Sequence, residues 1–151
     1  MMSRRTISPV VPIDSVPPAD TSSYRPVVLV VDDESVIADT VAEILSRSGY
    51  AAMPVYDGND ALETALISPP EMLITDVVLP GMNGVELALK IRRIFPDCKI
   101  LLFSGQAIAV DLLATAKTAG HHFNLLSKPV HPKELLAKVS ESIGAVSTVA
   151  S

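Results

Sequence analysis

A single cysteine, Cys98, means that no disulfide can brace the chain from within. A lone thiol at the start of an apolar run reads as small core filler. No apolar run approaches the roughly 18 residues that a membrane-spanning helix requires. Positive charge is scarce as well. Twelve Lys and Arg stand against 17 Asp and Glu, and the net charge of −5 argues against nucleic acid as a partner. The start, "MSRRTIS", carries twin arginines but not the apolar stretch of about 7–15 residues that an export signal needs. In its place stands "PVVPIDSVPPAD", with four prolines and two aspartates. These absences predict a cytoplasmic protein that binds neither membrane nor nucleic acid.

What remains suits one soluble domain. The 151 residues suffice for a single unit, and 48% hydrophobic content can build a core. Residues 1–25 are rich in Pro, Ser and Thr, which predicts a disordered or loosely packed tail. The domain is expected over 26–144, and the small, polar end at 145–151 is expected to fray.

Between the tails, strand and helix patterns alternate. "VVLVVD" (27–32) is a continuous β-branched run, as in a strand covered on both faces. Ile37, Val41, Ile44 and Leu45 then recur at helical spacing, and Gly49 supplies a stop. "AAMPV" (51–55) reads as a short strand, pushed to an edge by Pro54. Asp57 can cap a helix carrying Ala61, Leu62, Ala65 and Leu66, ended by Pro69 and Pro70. "EMLITDVVL" (71–79) is a second buried strand, and "PGMNG" is turn chemistry. Asn83 and Glu86 have capping-box spacing for a helix with Leu87, Ile91 and Ile94. "KILLFS" (99–104) is a third buried strand. A weaker helix comes next on Ile108, Leu112 and Ala116, stopped by Gly120. "FNLLS" (123–127) is a last strand, and Pro132 opens a final helix with Leu135, Leu136, Val139 and Ile143.

Five strand–helix units imply a parallel sheet with right-handed crossovers and helices on both faces. In such a sheet all strands end at one edge, where sites form. The strand tips deliver Asp32 and Asp33, then Asp76, then Ser104 with Gly105, then Lys128 with Pro129. Each alone has an ordinary explanation: a helix N-cap, a turn residue, a solvated charge. Their joint occurrence at the tips of separate strands points to chemistry. Clustered carboxylates repel one another, and a hard divalent cation such as Mg²⁺ relieves that while still accepting phosphate oxygens. One carboxylate can then act as nucleophile toward a phosphoryl group, with the cation, an ammonium and a hydroxyl holding the equatorial oxygens.

"VVLVVDDES", "MLITDVVLPGMNGVEL", "ILLFSG" and "LLSKP" together resemble the response-regulator receiver domains of two-component signalling, over about residues 25–144. The resemblance implies a doubly wound, flavodoxin-like (βα)5 sandwich with strand order 2-1-3-4-5. It implies that Asp76 accepts the phosphoryl group, and that Asp32 and Asp33 hold Mg²⁺ with Asp76 and the backbone carbonyl of Val78. Ser104 is then the switch hydroxyl, Lys128 a phosphoryl ligand, and Lys128–Pro129 a cis peptide. The implied partners are a sensor histidine kinase or phosphotransfer protein upstream and an unknown protein downstream. Output is expected on the face of the fourth helix, fifth strand and fifth helix, with no separate catalytic domain.

One position departs from the family. The aromatic residue usual three places before the lysine is Leu125, and the nearest aromatic, Phe123, lies two places earlier. This offset predicts that the aromatic switch is absent. Val78 and Gln106 pull in opposite directions on phosphoryl lifetime, one shielding against water and one able to orient it. His121, His122 and His131 do not have metal-ligand spacing. A phosphohydrolase using Asp76 would need a general acid where Val78 stands. A binding-only relic would not need Asp32, Asp33, Asp76, Ser104 and Lys128 together.

Overall fold

The computed structural model describes residues 24–105, 114, 117, 120 and 123–146. Its elements run β1 (Val27–Val31), α1 (Ser35–Arg47), β2 (Ala51–Val55), α2 (Gly58–Ile67), β3 (Met72–Asp76), α3 (Gly84–Ile94), β4 (Lys99–Ser104), β5 (Asn124–Ser127) and α4 (Pro132–Ile143). The strands pair in parallel in the order β2-β1-β3-β4-β5, which is 2-1-3-4-5. The expected architecture is therefore the observed one. The weaker helix expected on Ile108, Leu112 and Ala116 falls on positions outside the described residues, as do Gln106, His121 and His122.

Strand alternation builds two cores. Val28 and Val30 of β1 face one way with Ile74, Leu101 and Phe103, and α1 and α4 cover them with Val41, Leu45, Leu135 and Val139. Leu29 and Val31 face the other way with Leu73, Ile100 and Leu102, under Ala61, Ala65, Leu87 and Ile91 of α2 and α3. Both faces are thus sealed, which is why the central strands read as unbroken apolar runs. Each fully buried Leu or Ile contributes about 1.5–3 kcal/mol of transfer free energy.

The helix ends obey local chemistry. Asp57 accepts from the Asp60 N–H (2.8 Å), and Asn83 with Glu86 completes a reciprocal capping box. Gly49 at φ 100° takes the left-handed turn that brings the chain from α1 back into β2. Pro132 occupies the first turn of α4.

Three expectations need adjustment. The strand read over 71–79 ends at Asp76. Val77 and Leu79 are apolar because they are buried in the core, although the Val77 N–H still donates to the Phe103 carbonyl (3.2 Å) just past the strand end. Leu66 and Ile94 repeat at helical spacing but are 62% and 45% exposed. Both lie in last turns, where the periodicity outruns the sheet beneath. Tyr24 and Arg25, assigned to the tail by composition, are tied to the domain. The Tyr24 hydroxyl bonds Glu71, and Arg25 donates to the carbonyls of Ser46 and Tyr50 at 3.2 Å each. The rest of the N-terminal tail lies outside the described residues. Val146 packs against the α1/α4 core, just inside the C-terminal segment expected to fray.

Candidate functional site

The register of the sheet explains why distant acids meet. Val30 of β1 stands beside Ile74 of β3, and adjacent strands lie about 4.8 Å apart. Two residues further along, on the same face, the chain places Asp32 and Asp76. Asp76 is paired with Phe103, and Ser104 with Ser127, so Lys128 comes one step beyond the fifth strand. Every predicted site side chain arrives at one edge. A polar cleft of about 480 Å³ opens there, lined by Asp33, Glu34, Asp76, Val78, Ser104, Gly105 and Lys128. Asp32, fully buried, lies in direct contact with its lysine.

The contacts are specific. The Lys128 ammonium donates to Asp32 Oδ2 (3.0 Å) and to Asp76 Oδ2 (2.9 Å). The second oxygen of each carboxylate is held by backbone. The Glu34 N–H donates to Asp32 Oδ1 (2.9 Å), and the Val78 N–H donates to Asp76 Oδ1 (3.1 Å). Such charge-assisted bonds orient a carboxylate firmly. The Lys128 backbone N–H reaches the Ser104 carbonyl (3.3 Å), which joins the last two tips. The Lys128–Pro129 peptide is cis, as the resemblance implied.

The electrostatics stem from burial and partners. Burial raises the carboxyl of Asp32 above its ordinary value, and the Glu34 N–H and Lys128 only partly oppose this. Burial pulls Lys128 down, yet its bonds to Asp76 and Asp32 outweigh this and hold it above the usual lysine value. The ammonium is thus charged at neutral pH, wedged between two carboxylates.

The donor set fits a hard divalent cation. One carboxylate oxygen from each of Asp32, Asp33 and Asp76 lies within 4.8 Å of the others. Asp33 is exposed, leaving a face open to water or a phosphate oxygen. Three carboxylates against one ammonium also leave a local excess of negative charge that a divalent ion offsets.

Comparison with known families matches residues 28–140 to the response regulator receiver domain. The chain belongs to that family. Among solved structures, the chemotaxis protein CheY4 of Vibrio cholerae is similar at 27% identity, covering 79% of this chain and 99% of that one, with a TM-score of 0.70. A CheY-like receiver domain protein from Methanospirillum hungatei JF-1 is similar at 28% identity, over 78% and 93% of the two chains, with a TM-score of 0.71. The signal receiver domain of an HD domain-containing protein from Pseudomonas fluorescens Pf-5 is 28% identical over 79% and 87%, at 0.72. Receiver domains typically bind Mg²⁺ at an acidic cluster, and Asp32, Asp33 and Asp76 form one here.

Some features of this receiver domain were not legible in the sequence. Phe103 reads as plain core, yet its ring lies under the Lys128 ammonium, 5.1 Å from the centroid. Glu34 stands 3.9 Å from the same ammonium and shares the cleft wall. Nothing in a strand pattern marks Phe103. For Glu34 the adjacent acid pair was a signal. The residues around the position usual for an aromatic switch are also placed. Leu125 pairs with Leu102 on the edge strand and is 41% exposed. Phe123 precedes β5, packs toward the α2/α3 core, and lies under the Arg92 guanidinium at 5.1 Å. No described helix is long and apolar enough to cross a membrane.

Proposed function

We propose that this receiver domain takes a phosphoryl group onto Asp76 from a phosphohistidine of a sensor kinase or phosphotransfer protein, and signals through protein contacts in the cytoplasm. The observation that carries this is the Lys128 ammonium bridging Asp32 and Asp76 inside a polar cleft. The site residues are Asp76 as nucleophile, Asp32, Asp33 and the Val78 carbonyl as cation ligands with it, and Ser104 and Lys128 as phosphoryl ligands. The receiver itself is residues 26–144, extended by the contacts of Tyr24, Arg25 and Val146.

An Asp76 carboxylate oxygen forms the new bond to phosphorus as the phosphorus–nitrogen bond of the donor breaks. The departing imidazole takes up a proton. Asp76 is anchored for this attack, because the Val78 N–H holds one oxygen and leaves the other facing the cleft. Lys128 already touches that second oxygen, so its ammonium is in place for the incoming phosphoryl oxygens. Ser104, at the neighbouring tip, lines the same cleft and can supply a hydroxyl to those oxygens. Bound Mg²⁺ would neutralise charge on the transferring group. The bound phosphoryl group then changes what the Ser104 and Lys128 tips touch, and those tips carry the change toward β5 and α4.

A protein donor needs a seat beside the cleft. An apolar groove of about 460 Å³ runs between α1 and the segment after β5, with Lys128 common to groove and cleft. Val36 on its rim is 75% exposed. Val36→Asp is expected to slow transfer from a phosphohistidine protein more than transfer from acetyl phosphate.

The deciding experiment is intact-mass measurement after incubation with acetyl phosphate and Mg²⁺. One added phosphoryl group, absent in Asp76→Asn and absent after chelation with EDTA, supports the reading. No gain in the unaltered protein, or an equal gain in Asp76→Asn, refutes it.

A further inference from the structure

The loop between β3 and α3 is packed where no side chain fits. A methyl group built on Gly84 would lie 1.9 Å from the Asp76 carbonyl oxygen, 2.8 Å from the Asp76 carbonyl carbon and 2.9 Å from Val77 Cα. These are backbone atoms, which cannot rotate aside as a side chain can. The backbone of Gly84 is not in the left-handed region, so conformation alone does not require glycine there. The lack of space does. The Gly84 N–H also donates to the Val77 carbonyl (2.8 Å), so the first turn of α3 rests directly on the end of β3. Across the loop, a methyl on Gly58 would meet Met82 Sδ at 3.1 Å and Cβ at 3.2 Å. The loop is therefore clamped between the strand tip and the start of α2.

The clamped stretch is the one that aims the nucleophile. Asp76 holds its carboxylate against the Val78 N–H at 3.1 Å, and Gly84 packs on the backbone of residues 76 and 77. We propose that Gly84 is a positioning residue for the phosphoryl-accepting site. Its missing side chain lets α3 seat on the Asp76 carbonyl, and that seat fixes the Asp76 carboxylate relative to Asp32 and Asp33. This rests on the reading of the site given above. An alanine at 84 needs more than an ångström of clearance from backbone, which either lifts α3 or turns the Asp76 peptide. Either movement is large against metal–oxygen bonds of about 2.1 Å. A misplacement of about 1 Å at a reacting centre slows a reaction on the order of 100-fold.

The test compares Gly84→Ala with Gly81→Ala in the full chain. Gly81 lies in the same loop at φ +74° with nothing within 4 Å of an added methyl. Alanine there strains the backbone without pressing on Asp76. Mn²⁺ binding, followed by the electron paramagnetic resonance of the free ion, is expected to weaken at least tenfold in Gly84→Ala. Phosphorylation by acetyl phosphate with saturating Mg²⁺ is expected to slow at least thirtyfold. Gly81→Ala is expected to change each by less than threefold, even at an equal loss of melting temperature. Wild-type Mn²⁺ affinity and rate in Gly84→Ala overturn the proposal. Equal losses in both variants also overturn it, because the effect then tracks stability. If the unaltered protein neither binds Mn²⁺ nor gains a phosphoryl group, the site reading fails and takes this proposal with it. Should Gly84→Ala not fold, Gly58→Ala pushes the same loop gently through Met82. A two- to fivefold weaker Mn²⁺ affinity there supports the proposal, and no change overturns it.

Discussion

Replacing Lys128 with methionine keeps the bulk of the stem and removes the charge. The ammonium now bridges Asp32, fully buried, and Asp76, 6% exposed. Without it the two carboxylates face each other with oxygens within 4.8 Å. Their repulsion exists in the unaltered protein too, where the ammonium offsets it; breaking such a buried pair from one side costs about 3–5 kcal/mol. The desolvation recovered from the partly buried ammonium puts the expected loss at the low end of that range, about 3 kcal/mol. Protonating one carboxyl is the escape route. Burial already raises the Asp32 carboxyl and the ammonium opposes this, so losing the ammonium raises it further and makes Asp32 the group that takes up a proton as pH falls. Protonating Asp32 removes the repulsion, so the deficit shrinks as pH falls. The sign comes from linkage. A carboxyl raised in the folded state contributes stability present below its unfolded value and lost as pH rises through the folded one. Urea unfolding of Lys128→Met in EDTA should therefore show about 3 kcal/mol less stability than the unaltered protein at pH 7.5. At pH 4.5 the difference should be markedly smaller, and excess Mg²⁺ should recover most of the deficit at pH 7.5. A deficit below about 1 kcal/mol at pH 7.5, or one indifferent to both pH and Mg²⁺, would refute the electrostatic account.

Two further outcomes rest on local chemistry. Burial lifts the Cys98 thiol to about 11, so alkylation by iodoacetamide at pH 8 should run more than 100-fold slower than for free cysteine and accelerate toward pH 11. Alkylation at the free-cysteine rate at pH 8 would contradict the observed burial. Asn83→Ala removes the Asn83 half of the capping box of α3 and should cost about 1 kcal/mol in urea unfolding, within the usual 0.5–2 kcal/mol for an N-cap. A change under about 0.3 kcal/mol would mean that the cap adds nothing there.

Much of this protein is written in its local patterns. The valine-rich run at 27–31 and the apolar run within 99–104 have one stable use, a strand buried on both faces, and the structure places β1 and β4 on those residues. Asp57 and the Asn83–Glu86 pair mark helix starts because side-chain oxygens must satisfy the free N–H groups of a first turn. Parallel pairing is then a consequence of the alternation of strand and helix, and it brings the acids, the hydroxyl and the lysine to one edge. Local spacing did not decide what a neighbour fills. Leu66 and Ile94 look like core and are exposed. Val77 looks like strand and is not.

The chain order of strands and helices, and hence the set of residues at the strand tips, was determined by the sequence, because periodicity and capping act over a few residues. Tertiary structure alone decided that one ammonium lies 3.0 Å from Asp32 and 2.9 Å from Asp76, that Phe103 lies beneath it, and that α3 seats on the Asp76 carbonyl at Gly84. Those contacts join residues up to 96 positions apart. They depend on register and close packing between strands and helices, which no short stretch of residues encodes by itself.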